Sequence, residues 1–215
     1  MDAARRPGRV GVLALQGDFS RHMASLEACG VQAMRVVWPA ELEGLDGLVM
    51  PGGESTTMLR LMASNGLYAP LAQFVARRPT LATCAGLILL GRGADHLPAP
   101  PFEVLDVEVE RNAYGRQIDS FAQDVSVAAL EGGPFHAVFI RAPRIRRVGA
   151  GVQVLARIGD EAVAVRRDHL LGLCFHPELT SDLRLHRFFL RQVAGLRLPE
   201  ASARAADAPV TKGAA

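Results

Sequence analysis

The sequence predicts an α/β fold, a three-layer sandwich with a central, mostly parallel sheet flanked by helices. Three observations carry that prediction. Val10–Leu15 and Leu45–Met50 are short, continuous apolar runs, as expected of strands buried on both faces. Segments of helical spacing alternate with them, the β-α-β-α order that builds parallel sheets. Glycine and proline punctuate the junctions, at Gly30, Pro39, Pro51-Gly52-Gly53 and Asn65-Gly66.

The elements follow in order. Val10–Leu15 is the first strand and a central one. Ser20–Cys29 is a helix with Met23 and Leu26 on its apolar face, stopped by Gly30. Val31–Val37 is the second strand, closed by Trp38-Pro39, and Leu45–Met50 is the third. A helix begins near Ser55 or Thr56 and runs to about Ser64, and another covers about Tyr68–Arg77. Thr80–Thr83 is a short strand joined without a linker to a helix over Ala85–Leu90. The pattern then changes. Phe102–Arg111 alternates through Val104, Val107 and Val109. Asp119–Val127, Ala137–Arg141, Val152–Ile158, Glu161–Val165 and Leu170–Phe175 are further strands of an antiparallel or mixed half. The last helix covers about Ser181–Ala194. Residues 1–9 read as an N-terminal extension, 10–196 as one domain, and 197–215 as a tail whose Ala, Pro and small polar residues suit disorder.

Bulk properties exclude several classes. The 215 residues are 49% hydrophobic, enough for a sizeable core in one domain. A net charge of +2 with no basic tract gives no support to nucleic-acid binding. The longest apolar run, around Leu81–Leu90, falls far short of the roughly 20 residues that cross a bilayer. Arg5, Arg6 and Arg9 before VGVLAL do not make a signal peptide, because the run ends directly in Gln16-Gly17-Asp18. Cys29, Cys84 and Cys174 are odd in number and widely spaced, which suits free thiols in a reducing cytoplasm.

Sites in open α/β sheets form at the C-terminal ends of strands, and three loops fall there. In Thr83-Cys84-Ala85-Gly86 a strand meets a helix at a thiol, as in a nucleophile elbow, with Ala82 and Gly86 at the close-packed small-residue positions. The alternative is a buried core cysteine. In Phe175-His176-Pro177-Glu178, Pro177 keeps His176 extended, and residues two apart share a side, so Glu178 can orient the imidazole. The alternative is a surface histidine in a turn. Pro51-Gly52-Gly53-Glu54-Ser55-Thr56-Thr57 lacks the lysine of a phosphate loop, and Glu54 would repel phosphate. Ser55 and Thr56 there can act as helix caps. Alternatively, the Gly53 and Ala85 N–H groups form an oxyanion hole. Cys174 and His176 have no second ligand pair at zinc spacing, so no metal is expected. Cys29 and Cys174 read as core fillers, His22 as a surface or interface residue, and Arg144, Arg146 and Arg147 as a solvated or partner-facing cluster.

Together, PGGEST, TCAGL and FHPEL resemble class I glutamine amidotransferases. LALQGDFSRH, PGGESTTM, ATCAGLILL, ERNAYGRQIDSF, VFIRAP and CFHPELT extend the likeness to the glutaminase subunits of pyridoxal phosphate synthases, over about Val10 to Val193. The resemblance implies a flavodoxin-like fold with Cys84 as nucleophile, His176 as general base and acid, and Glu178 orienting it. It also implies that Gly53, Glu54 and Ser55 line the glutamine pocket and oxyanion hole, with Arg111, Ile140 and Arg141 as the remaining glutamine-binding positions. Gln16 would lie near the oxyanion loop and the synthase-facing surface. No cofactor is implied. The implied partner is the synthase subunit of a large heteromeric complex, which uses the ammonia to build pyridoxal 5′-phosphate from ribose 5-phosphate and glyceraldehyde 3-phosphate. By the same resemblance, docking on that partner activates the glutaminase by organising the oxyanion loop. Ala82, where glycine is common, and Asp18-Phe19 are small departures that remove no catalytic group. Three rivals are weighed: the glutaminase of another amidotransferase, a Cys-His γ-glutamyl hydrolase, and a non-catalytic interaction subunit.

Overall fold

The computed structural model describes residues 7–111 and 120–199. It opens with β1 (Arg9–Leu13), α1 (Phe19–Ala28) and β2 (Gln32–Val36), then a 3-10 turn at Pro39–Leu42 and β3 (Gly47–Met50). α2 (Ser55–Ser64) and α3 (Tyr68–Val75) lead to β4 (Thr80–Thr83), which α4 (Ala85–Leu90) follows after a single residue. Seven further strands are β5 (Val107–Glu110), β6 (Ser120–Val125), β7 (Phe135–Ile140), β8 (Arg144–Val148), β9 (Gln153–Ile158), β10 (Glu161–Arg167) and β11 (Leu170–Leu173). A 3-10 turn at Pro177–Leu179 precedes α5 (Arg184–Phe188), which continues as a π-helical turn over Phe189–Val193.

One seven-stranded sheet runs in the order β2-β1-β3-β4-β11-β10-β9. The first five are parallel, and β10 and β9 add antiparallel at one edge. β3, β4 and β11 are buried at every residue, which explains their apolar composition, interrupted only by Thr80 and Thr83 at the ends of β4. The β1-α1-β2 and β3-α2-α3-β4 crossovers step in opposite directions from the centre. Right-handed connections therefore put α1 on one face and α2 and α3 on the other. The order reverses between β1 and β3, and a crevice opens there at the C-terminal strand ends.

The expected mostly parallel sheet is present, and the later strands divide. β9, β10 and β11 complete the main sheet, whereas β5-β8 and β6-β7 form two antiparallel ribbons. The strand expected over Phe102–Arg111 shrinks to β5, since Glu103 has φ +54 and breaks the extended run. β8 was not anticipated, because RIRRV reads as a charge cluster. Its arginines are cross-strand partners: Arg144 pairs with Glu161, Arg146 with Glu110, and Arg147 Nε donates to Glu108 at 2.9 Å. The last helix is shorter than expected and changes pitch at Phe189. His22 is fully buried between α1 and α5 and not on a surface. Leu196 and Leu198 pack against the core, so ordered packing reaches beyond the last helix. Residues 1–6, 112–119, which hold most of RNAYGRQ, and 200–215 of the expected tail lie outside the described residues.

α4 is buried along its whole length and lies flush against β3. A Cβ on Gly86 would sit 2.2 Å from the Met50 carbonyl oxygen, which as backbone cannot step aside. Gly86→Ala should therefore cost about 1–3 kcal/mol of stability, read as a lower midpoint in chemical denaturation; an unchanged midpoint would contradict the close approach.

Candidate active site

Cys84 sits where β4 becomes α4. Its backbone has φ +47 and ψ −106, a conformation that L-residues rarely hold. Strain of this kind costs on the order of 1–3 kcal/mol and concentrates at functional sites. Two hydrogen bonds hold it: the Cys84 N–H donates to the Leu173 carbonyl at 2.9 Å, and the Cys84 carbonyl accepts from the Ile88 N–H at 3.2 Å. The side chain is thereby lifted toward the crevice at the N-terminus of α4. The adjacent Ala85 N–H is at the first helical position and has no carbonyl to bond within the helix.

The chain leaving the neighbouring strand supplies the candidate base. β11 pairs with β4 in parallel, Leu173 opposite Thr83, so the chain after Leu173 leaves the sheet beside Cys84. The His176 N–H donates to the Val138 carbonyl at 2.9 Å, which fixes its backbone. His176 Nδ1 lies 2.7 Å from Glu178 Oε1, and Glu178 is 4% exposed. Burial disfavours the His176 cation. Its contacts with Cys84 and Glu178, together with the Glu178 charge, outweigh that and push it up to about 10. Burial also disfavours ionised Glu178, but His22 and His176 hold its carboxyl well below the usual carboxylate range. His176 Nε2 makes no well-aligned hydrogen bond among the described residues, and the Cys84 Sγ rests 3.9 Å from the Ile140 carbonyl oxygen. Nucleophile–base pairs are often this loose before substrate tightens them.

Gly52 fits between these two groups. A Cβ there would lie 2.3 Å from His176 Cε1 and 3.3 Å from the Cys84 Cβ. Gly53 follows with φ +152. The Gly52 carbonyl abuts Gly17, where a Cβ would come within 1.8 Å of its oxygen. Glu54, not Ser55, caps α2: its carboxylate accepts from the Thr56 N–H at 3.0 Å and the Thr57 N–H at 2.7 Å. Burial disfavours its charge, but these bonds and the Thr57 hydroxyl together outweigh it and hold it down to about 2. The Glu54 N–H donates to Gln16 Oε1 at 2.7 Å, tying this loop to the one after β1. Arg111 Nη2 reaches Glu54 Oε1 at 3.2 Å.

These residues surround a cleft of about 200 Å³, the size of a small metabolite site. Cys84 and His176 line it, with Gly53, Glu54 and Ser55 from the second loop. Arg111, Ile140 and Arg141 also line it, and Arg141 has a strained φ of +43. Ala85 and Glu178 lie behind the lining. The structure thus brings every expected site residue to one place. Sequence reasoning missed Gly17, whose only signal is a glycine following Gln16. Cys29 and Cys174 are buried fillers: burial pushes the Cys29 thiol up to about 11 and the Cys174 thiol higher still.

A cysteine on a strand–helix elbow and a histidine–carboxylate pair in the turn after the next strand accompany this sheet order. A crystal structure described as a glutamine amidotransferase matches with a TM-score of 0.80 and 48% identity, covering 87% of this chain and 99% of that one. PurLQS from Thermotoga maritima shares the fold, at a TM-score of 0.65 and 15% identity over 86% of this chain and 99% of that one. The chain belongs to the SNO glutamine amidotransferase family, whose model matches residues 12–195. It is 52% identical over 193 residues to pyridoxal 5'-phosphate synthase subunit PdxT of Thermus thermophilus, covering 88% of this chain and 99% of that protein. The subunit of the same name from Geobacillus kaustophilus is 50% identical over 186 residues, covering 86% and 94%.

Two outcomes follow from the geometry. Gly52→Ala should displace the His176 ring and reduce turnover severely while circular dichroism and unfolding stay near wild type; full activity would show that the ring has room to spare. The second concerns pH. Folding raises His176 from 6.5 to about 10, so its stabilisation is complete below pH 6.5 and is lost as pH rises toward 10. Urea denaturation across that range should show a decline that His176→Gln lacks; equal slopes in both proteins would contradict it.

Proposed function

We propose that this protein is the glutaminase subunit of a pyridoxal 5′-phosphate synthase, hydrolysing L-glutamine to L-glutamate and ammonia and passing the ammonia to a synthase subunit in a heteromeric complex. The reading is carried by one observation. Cys84 and the His176–Glu178 pair converge at adjacent strand ends in a chain half identical, over most of its length, to relatives of that name.

In this mechanism the substrate's side-chain amide lies over Cys84. The thiolate forms a C–S bond to the carboxamide carbon, and the carbonyl π electrons move to oxygen. The Gly53 and Ala85 N–H groups receive that oxyanion. His176, held as imidazolium by Glu178, gives its Nε2 proton to the nitrogen, the C–N bond breaks, and ammonia leaves. A glutamyl thioester remains. Neutral His176 then takes a proton from water, the hydroxide displaces sulfur, and glutamate departs. Arg111 and Arg141 are cations on the cleft wall, either of which can receive the substrate α-carboxylate, while Glu54 can receive its ammonium. Ser55, with a buried hydroxyl that has no partner among the described residues, and Ile140 complete the substrate wall. The synthase partner sets the oxyanion peptide at Gly52-Gly53, whose present contact with Gly17 ties it to the first loop. Three free cysteines suit a reducing cytoplasm, and no helix among the described residues is long and apolar enough to cross a membrane.

Glutamate release, measured with and without the synthase subunit, tests the reading. Activity should rise sharply on addition of the partner and vanish in Cys84→Ala, which should still fold; substantial turnover by Cys84→Ala, or indifference to the partner, would sink it.

A further inference from the structure

The catalytic groups do not end at Glu178. Its second oxygen, Oε2, lies 3.2 Å from His22 Nε2, an ion-pair contact without aligned hydrogen-bond geometry, and both side chains are essentially buried, at 1% and 0% exposure. On the far side of that ring, His22 Nδ1 lies 3.1 Å from His186 Nε2, also buried. The Thr83 hydroxyl, one residue before the nucleophile, stands 3.4 Å from His22 Nε2. His22 is thus met by Glu178 from the 3-10 turn, His186 from α5 and Thr83 from β4; Glu178 is in turn met by His176. A surface histidine would make none of these contacts.

Proton placement follows from the chemistry of the partners. A bare ring nitrogen facing an ionised carboxylate oxygen would repel it, so His22 Nε2 carries hydrogen. Burial holds His186 neutral, down to about 3, and its Nδ1 has no hydrogen-bond partner among the described residues. Its proton is therefore on Nε2, which donates to His22 Nδ1. The buried chain reads His186, His22, Glu178, His176, Cys84, with His22 Nε2 hydrogen-bonded to the Thr83 hydroxyl and in ion-pair contact with the carboxylate.

We propose that His22 is a positioning residue for catalysis: its Nε2 edge, in 3.2 Å contact with the second oxygen of Glu178, favours the carboxylate charge and keeps the first oxygen aimed at His176. The proposal rests on the Cys84–His176–Glu178 reading above. A buried carboxylate whose second oxygen loses its polar neighbour is poorly satisfied and turns away from the imidazole it should hold. His22 touches neither substrate nor thiol and acts only through Glu178.

The test is the pH profile of Cys84 alkylation by iodoacetamide in the full chain, located by peptide mass, with glutamate release by the synthase complex measured in parallel. His176→Ala serves as the reference. His22→Leu keeps bulk and removes the donor, and should slow alkylation near neutral pH on the order of tenfold and move the rising limb of the profile upward. His22→Gln places an amide N–H where Nε2 stood and should keep most of the wild-type profile. His22→Asn reaches only toward His186 and should behave like the leucine variant, which decides the matter if that variant folds poorly. A wild-type profile in His22→Leu, or equal losses in Gln, Asn and Leu variants, overturns the proposal. If wild-type Cys84 reactivity is indifferent to His176→Ala, the triad reading itself fails, which is a different result.

Discussion

The site depends on the junction between β4 and α4. With no linker, the residue that joins them must take a left-handed φ, and Cys84 does so at +47. Two consequences follow. Its side chain is lifted off the sheet into the crevice, and the following N–H groups face the same space without helical acceptors. Such strain persists only where the surroundings over-determine it. Here the Leu173 carbonyl, the first turn of α4 and the absence of a Cβ at Gly86 against Met50 supply that constraint. Because β11 is the parallel neighbour of β4, the carbonyl that grips Cys84 belongs to the strand that delivers His176.

Around this junction the fold brings buried charge and matches it. Glu178 is a nearly inaccessible carboxylate, an arrangement that is costly unless its oxygens are bonded. It stands between two imidazoles: Oε1 bonds His176 Nδ1, Oε2 lies 3.2 Å from His22 Nε2 without aligned hydrogen-bond geometry, and the pair with His176 favours the His176 cation. Glu54 solves a second problem. Its carboxylate caps α2, its N–H bonds Gln16, and Arg111 reaches across to it, so the loops after β1 and β3 are linked to the wall beyond the ribbons. A movement in any of these loops is felt at Gly52-Gly53, next to Cys84.

Much of this was legible in the sequence. Unbroken apolar runs marked the buried strands, and the abrupt passage from Thr83 to Ala85 marked the elbow. Phe175-His176-Pro177-Glu178 disclosed its own orientation through proline and a two-residue spacing. Other features were not local properties. His22 sits in a helix among polar neighbours and looks solvent-facing, because nothing nearby says that α5 and the Pro177–Leu179 turn will cover it. β8 was hidden since Arg144, Arg146 and Arg147 find their carboxylates on other strands. Glu54 displaced Ser55 as cap because a longer carboxylate reaches two N–H groups at once. The need for glycine at Gly17 and Gly52 appears only when two loops distant in sequence are set against each other.

The central claim is that Cys84 becomes covalently acylated by glutamine. Rapid acid quenching of the synthase complex during turnover with isotopically labelled L-glutamine, followed by peptide mass analysis, tests it directly. The account predicts a glutamyl adduct on the peptide bearing Cys84, formed as fast as ammonia is released and lost at the rate of glutamate release. Glutamate formation with no adduct on Cys84, or an adduct on another side chain, would contradict it.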